Sequence, residues 1–172
     1  MSPEEAATRE ELRDLVTRYA RGVDRRDYPL IRSLYWDDAI DDHGEMFCGG
    51  PDDYVAWLPQ ALEPLDCTIH SISNSLFVID GDVAEGEHVS FNFHRTRAEP
   101  RQEIVIHGRY LDRYERREGI WKFARRKIVF DHGYVRSVDE DGLSAAGADA
   151  PAGSDNRDDP SWQFPLLAGI GK

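Results

Sequence analysis

Residues 103–135, EIVIHGRYLDRYERREGIWKFARRKIVFDHGYV, decide the fold. Two long runs rich in β-branched and aromatic residues meet at Glu118-Gly119, a turn signal between strands. Two similar runs precede them, TIHSISNSLFVIDGD (68–82) and VAEGEHVSFNFHRTR (83–97), punctuated by Asp-Gly and Glu-Pro turns. Strands usually span about 5–6 residues, so runs this long suit a strongly curved sheet.

Upstream the period changes. Leu12, Leu15, Val16, Tyr19, Ala20 and Val23 recur at helical spacing and predict a helix over residues 3–26. Pro3, Glu4 and Glu5 suit its N-terminus. YPLIRSLYW (28–36) predicts a short second helix, and PDDYVAWLPQAL (51–62) a third. The glycine-bracketed stretch DDHGEMFCGG (41–50) reads as irregular or a short strand. Three helices followed by antiparallel strands make an α+β fold, with the helices packed on the concave face of the sheet. Residues 1–136 form this domain. From Ser137 the composition turns to Gly, Ala, Ser, Asp and Pro, which predicts a flexible tail over residues 137–172. Its end, WQFPLLAGIG, is too apolar for solvent and is expected to dock on a cavity mouth, a sheet edge or a neighbouring subunit.

With 172 residues, the chain fits one domain. No apolar run is long enough to span a bilayer, and the acidic start MSPEEAATREEL lacks the features of an export signal. A cytoplasmic location is expected. Cys48 and Cys67 form no metal-binding spacing and no disulfide framework. A formal net charge of −12 disfavours nucleic acid and anionic membranes as partners. Arg109, Arg113, Arg116, Arg117, Arg125, Arg126 and Lys127 cluster in the hairpin. Asp112, Glu115 and Glu118 interrupt them, so the cluster reads as a solvated cross-strand ion ladder.

Two polar residues stand where apolar ones are expected. Asp24 ends the first helix on the edge of its stripe, roughly 40° from Ala20 and about 80° from Val16 around an ideal helix. His70 interrupts the strand CTIHSISNSLFVID, with Thr68, Ile72 and Asn74 on its face by alternation. Buried alone, a carboxylate and an imidazole are each costly; hydrogen-bonded, they satisfy one another. Such a pair abstracts protons near neutral pH, because the carboxylate holds one ring nitrogen and leaves the other free. Each residue also has an ordinary reading. His70 could be a core imidazole satisfied by backbone carbonyls, and Asp24 a surface residue at a fraying helix end.

Tyr19 lies on the apolar stripe, where a buried hydroxyl needs a partner. His43, beside Asp41 and Asp42, suggests a loop at a pocket rim, since three adjacent residues cannot converge on one metal ion. Trp57, His88, Asn92, His107, Tyr110 and His132 complete the candidate substrate contacts. His88, Asn92 and His94 share one strand face, with Phe91 and Phe93 opposite. Gly108 marks a close backbone approach or a bulge. No phosphate loop or nucleophile elbow is present, and nothing demands a cofactor or a metal.

YARGVDRRD (19–27), TIHSISN (68–74) and HGRYLDRYERREGIWKFARRKIVFD (107–131) resemble the SnoaL-like group of the nuclear transport factor 2-like superfamily, over roughly residues 8–135. The resemblance implies a cone, a curved sheet wrapped around an apolar pocket and closed by helices, in a homodimer or higher homo-oligomer. In the lyase members, an Asp near the end of the first helix orients a sheet His that removes a proton. Asp24 and His70 stand at those positions, and Tyr19 matches a tyrosine that holds or protonates a leaving oxygen in some dehydratases. The second cavity histidine and further tyrosines of scytalone dehydratase are not placed by the sequence. What the resemblance implies is a cofactor-independent lyase acting on a hydrophobic, oxygenated small molecule of aromatic, lignin-derived, steroid or polyketide type. Dehydration, retro-aldol release of formaldehyde and double-bond isomerisation are the variants. The alternative is a non-catalytic small-molecule-binding or dimerisation module, since fold alone does not license an activity.

Overall fold

The computed structural model describes residues 1–147 and 149–170, with the side chains of 143–146 left aside. Helix α1 (Pro3–Asp24) starts where the Ser2 hydroxyl accepts the Glu5 N–H, with Pro3 and two glutamates in its first turn. It buries Leu12, Leu15, Val16, Tyr19, Ala20 and Val23, the stripe read from the sequence. A tight turn follows, with Arg26 in the left-handed region at φ 53°. Asp27 then caps α2 (Tyr28–Ser33) by accepting the Leu30 N–H.

The second helix is shorter than the sequence suggested. Tyr35–Asp42 is strand β1, which runs parallel to a later strand and pairs with the two-residue β2 (Cys48–Gly49). Its alternation was hidden because an inward position carries a carboxylate: Tyr35, Ala39 and Asp41 are all buried. Helix α3 (Pro51–Leu62) lays Tyr54, Leu58 and Leu62 onto the core.

Four long strands then form an antiparallel meander: β3 (Leu65–Asp80), β4 (Val83–Thr96), β5 (Gln102–Arg117) and β6 (Ile120–Ser137). The six-stranded order is β2-β1-β6-β5-β4-β3, with β1–β6 the parallel pair. The helices close the concave side, and the fold is the expected α+β cone. On β5, even-numbered residues point into the cone.

Bulges decide which residues of the outer strands follow them. In β6, Tyr114 pairs with Phe123 but Arg113 with Arg125, so Ala124 is an extra residue. A second extra residue, Asp131, lies between the pairs Gly108–Phe130 and His107–His132. Because side chains alternate with period two, one extra residue exchanges the faces of a strand. Arg126 is thereby turned inward and completely buried, which corrects its place in the solvated ion ladder. Arg109, Arg113, Arg116 and Arg117 do form surface pairs, such as Arg109 with Asp131 and Glu87. A bulge in β3 between Ile72 and Ser75 likewise turns Asn74 away from the His70 face to an exposed position.

Beyond β6 the chain forms α4 (Glu140–Gly147), a 3-10 turn (Pro160–Gln163) and α5 (Pro165–Ala168). The tail is tied to the C-terminal end of α1: Arg25 pairs with Asp159, Arg26 with Asp155, and Arg21 bonds Ser161. Leu166 is left largely exposed, whereas Ile170 packs on the core cluster.

Candidate active site

Asp24, in the last turn of α1, reaches β3 with both carboxylate oxygens. The His70 ring Nδ1 lies 2.6 Å from Oδ1, and the His70 backbone N–H donates to Oδ2 over 3.0 Å. The second bond fixes the strand to the helix end and the first fixes the ring. A carboxylate accepts only, so in the neutral imidazole Nδ1 carries the proton and Nε2 keeps its lone pair.

His70 stands in the wall of a cavity of about 330 Å³, within the size range of small-molecule sites, with Asp24 behind it. Val23, Leu58, Leu62, Leu65, Ile104, Ile106 and Ile128 make most of its surface apolar. Its polar groups fall into two sets. Beside His70, the cross-strand residue Asn92 and the edge-on ring of His94, 5.4 Å between centroids, continue the polar wall. Asn92 Oδ1 and His94 Nδ1 are buried without a protein partner. Burial, reinforced by the neighbouring His70, lowers the His94 pKa to about 4, so this imidazole is neutral at physiological pH.

The second set is a hydroxyl pair: Tyr19 and Tyr54 lie 2.5 Å apart, O to O. Burial raises both phenols well above their ordinary range, with the nearby Asp41 adding to the shift of each. Two hydroxyls share one mutual bond, so the pair retains one O–H to donate. Tyr110 also lines the cavity, its phenol pushed up to about 12 by burial.

Under these rings sits Arg126. Its guanidinium carbon is 4.0 Å from the Tyr19 centroid and 4.5 Å from that of Tyr110, while both oxygens of Asp112 accept from it at 2.7 Å. Asp112 also accepts the Tyr114 hydroxyl, which contacts His88 Nε2 at 2.8 Å. At the mouth, His43 stacks on Tyr54 and Phe47 on Trp57, with centroids 5.3 Å apart in each pair. His43 Nε2 also approaches Asp41 Oδ1 to 2.8 Å, out of line for a conventional hydrogen bond.

Of the residues singled out in the sequence, Asp24 and His70 meet, and Tyr19, His43, Trp57, Asn92 and Tyr110 line the same cavity. Three do not. His88 points inward but lies beneath the cavity floor, enclosed by Ser75, Tyr114 and Phe77. His107 lies on the convex face against Phe91, and His132 beside it is exposed. The odd number of His107 opposes the inward even positions of β5, and the Asp131 bulge carries its β6 partner His132 outward with it. His94, Tyr54 and Phe130 were missed as site residues. His94 shares the alternation of Asn92, and Tyr54 the stripe of α3; Phe130 is legible only through the Ala124 bulge.

Comparisons agree with this architecture. The SnoaL-like domain family matches residues 4–127. Gamma-hexachlorocyclohexane dehydrochlorinase of Sphingobium indicum is 28% identical over 131 residues, spanning 73% of this chain and 82% of that enzyme. Hexachlorocyclohexane dehydrochlorinase 1 of the same species is 31% identical over 124 residues, spanning 69% and 79%. A crystal structure of a type 2 hexachlorocyclohexane dehydrochlorinase superposes with a TM-score of 0.71 at 26% identity, covering 77% of this chain and 91% of that one. A scytalone-dehydratase-like protein of Novosphingobium aromaticivorans gives 0.71 at 22% identity, with coverage of 80% and 95%, a likeness of fold alone. The curved sheet, the helical cover and the match over residues 4–127 lead to one assignment: the chain belongs to the SnoaL-like domain family, whose relatives here include lyases.

Proposed function

We propose that this protein is a cofactor-independent lyase in which His70, oriented by Asp24, removes a proton from a hydrophobic small molecule. The observation that carries the reading is the two-point contact of Asp24 with the ring and backbone of His70, which itself lines a largely apolar cavity.

His70 Nε2 takes a C–H proton, the C–H electron pair forms a new double bond, and a group on the adjacent carbon leaves with its bonding pair. The Asp24 carboxylate stabilises the imidazolium that results. When the leaving group is a hydroxyl, the spare O–H of the Tyr19–Tyr54 pair supplies a hydrogen bond to the departing oxygen. Phenols with raised pKa serve here as donors, since the phenolate is disfavoured by burial. Neutral His94 and Asn92 hold a substrate oxygen against the His70 side of the wall. Dehydration is the default reaction; the dehydrochlorinase relatives support halide loss as a variant of the same base chemistry. A substrate O–H proton in place of C–H would drive retro-aldol cleavage with formaldehyde release.

The test is a screen of aromatic, steroid and polyketide alcohols, with chlorinated cyclohexanes alongside, read by absorbance of a new conjugated double bond and by chloride release. With any substrate found, His70→Ala is expected to lower turnover by about 10²–10⁴, the ordinary contribution of a general base. Full turnover in that variant would overturn the assignment.

A further inference from the structure

Asp24 projects from a helix end, where the backbone is ordinarily least constrained. One residue gathers the pieces around it. Arg26, two positions on, has φ 53°, a conformation that glycine or asparagine adopts with less strain. Its side chain turns back. Nη1 donates to the Val23 carbonyl at 2.8 Å, in the last turn of α1, and to the Thr68 hydroxyl at 2.9 Å, two residues before His70 on β3. Thr68 is 2% exposed and pairs across the strands with His94. One guanidinium nitrogen thus joins the helix that carries Asp24 to the strand that carries His70. On its outer side, Nη2 meets Asp155 of the tail at 3.5 Å; the same carboxylate oxygen accepts from Arg97 at 3.2 Å.

We propose that Arg26 is a positioning residue for the Asp24–His70 pair, and that Asp155, beyond the family-matched residues 4–127, completes its hold. The proposal rests on reading that pair as the base and its orienter. It gives the C-terminal segment a task at the site without contact with substrate. A guanidinium suits the role because its several donors can face the carbonyl, the hydroxyl and the carboxylate at once.

The test is made on the full-length protein without substrate, by reading the neutral tautomer of His70 from its ring nitrogen resonances. The wild type is expected as the Nδ1–H form, and Asp24→Ala as the reference for its loss. Arg26→Gly relieves the left-handed backbone, which offsets part of the stability lost with its hydrogen bonds. The tautomer ratio should nevertheless move toward Nε2–H by about tenfold, the effect of one weakened hydrogen bond to a charged group. Arg26→Lys, which keeps the charge and a donor, should restore part of it. Asp155→Asn should shift the ratio in the same direction, and have no further effect in the Arg26→Gly background. An unchanged tautomer in Arg26→Gly, or an Nε2–H form in the wild type, overturns the positioning role. An Asp155→Asn effect that persists without Arg26 removes the tail from the proposal. None of these outcomes depends on turnover, so they are distinguishable from a failure of His70 as the base.

Discussion

Arg126 lies over the ring of Tyr19, its guanidinium carbon 4.0 Å from the centroid, while both oxygens of Asp112 hold it from below. A charged pair fully removed from water therefore supports the cavity floor, and the tyrosines are braced by a cation they do not hydrogen-bond. Breaking such a pair on one side leaves the other charge buried and uncompensated. Arg126→Met is expected to cost about 3–5 kcal/mol in urea unfolding, whereas Arg126→Met with Asp112→Leu should cost distinctly less. Equal losses for the single and double variants would show that packing on the rings, rather than the charge, is what matters.

Asp24→Asn keeps the shape but replaces one accepting oxygen with a donating NH2. Either the ring Nδ1–H or the backbone N–H of His70 then loses its acceptor. Turnover should fall by a factor approaching that of His70→Ala, with a stability loss of about 1–3 kcal/mol, the cost of one unsatisfied donor. A circular dichroism melt beside a kinetic assay separates the two effects.

His88 and His94 are both lowered from 6.5 to about 4, chiefly by burial. Their folded forms resist protonation, so between pH 6.5 and about 4 the unfolded chain binds the extra protons. Stability therefore rises with pH across that window and is lost as pH falls through it. Each histidine contributes up to about 3 kcal/mol to this dependence. Urea midpoints at pH 7 and pH 5 measure it. His88→Leu should flatten the decline even if it lowers the value at pH 7; an unaltered decline would place the titration elsewhere.

At Gly108 a Cβ would stand 2.5 Å from the Val129 carbonyl oxygen across the β5–β6 ladder, at the step where the strands slip register. Backbone cannot yield there as a flexible side chain would. Gly108→Ala is expected to destabilise by about 1–3 kcal/mol and to disturb the adjacent cavity wall. Thermal unfolding measures the first effect, and binding of an apolar fluorescent probe the second.

Much of this was legible in the chain. The stripe on α1, the Pro-Asp-Asp start of α3 and the four strand runs are local signals, and they suffice for the α+β order. Asp24 and His70 were visible as polar interruptions of apolar patterns. Pattern fails where a polar side chain occupies an inward position or a bulge resets the alternation. Asp41 concealed β1 in this way. Arg126 looked like one of seven surface cations, and His107 and His132 were open to either face, because the extra residues Ala124 and Asp131 are ordinary in composition. Their effect exists only in the pairing of β6 with β5.

Those two insertions also work together. Before Ala124 the inward residues of β6 carry odd numbers, between the two bulges even ones, and after Asp131 odd ones again. The arrangement behaves like a frameshift and its suppressor: only the stretch from Arg125 to Phe130 is read in the alternate frame. Within it, Arg126, Ile128 and Phe130 face the interior in place of Arg125, Lys127 and Val129. Deleting Ala124 alone would throw the rest of the strand out of phase, whereas deleting both residues would restore its end and exchange only the middle. The chemistry at the floor of the cone is thus governed by where the chain gains a residue as much as by which residues it carries.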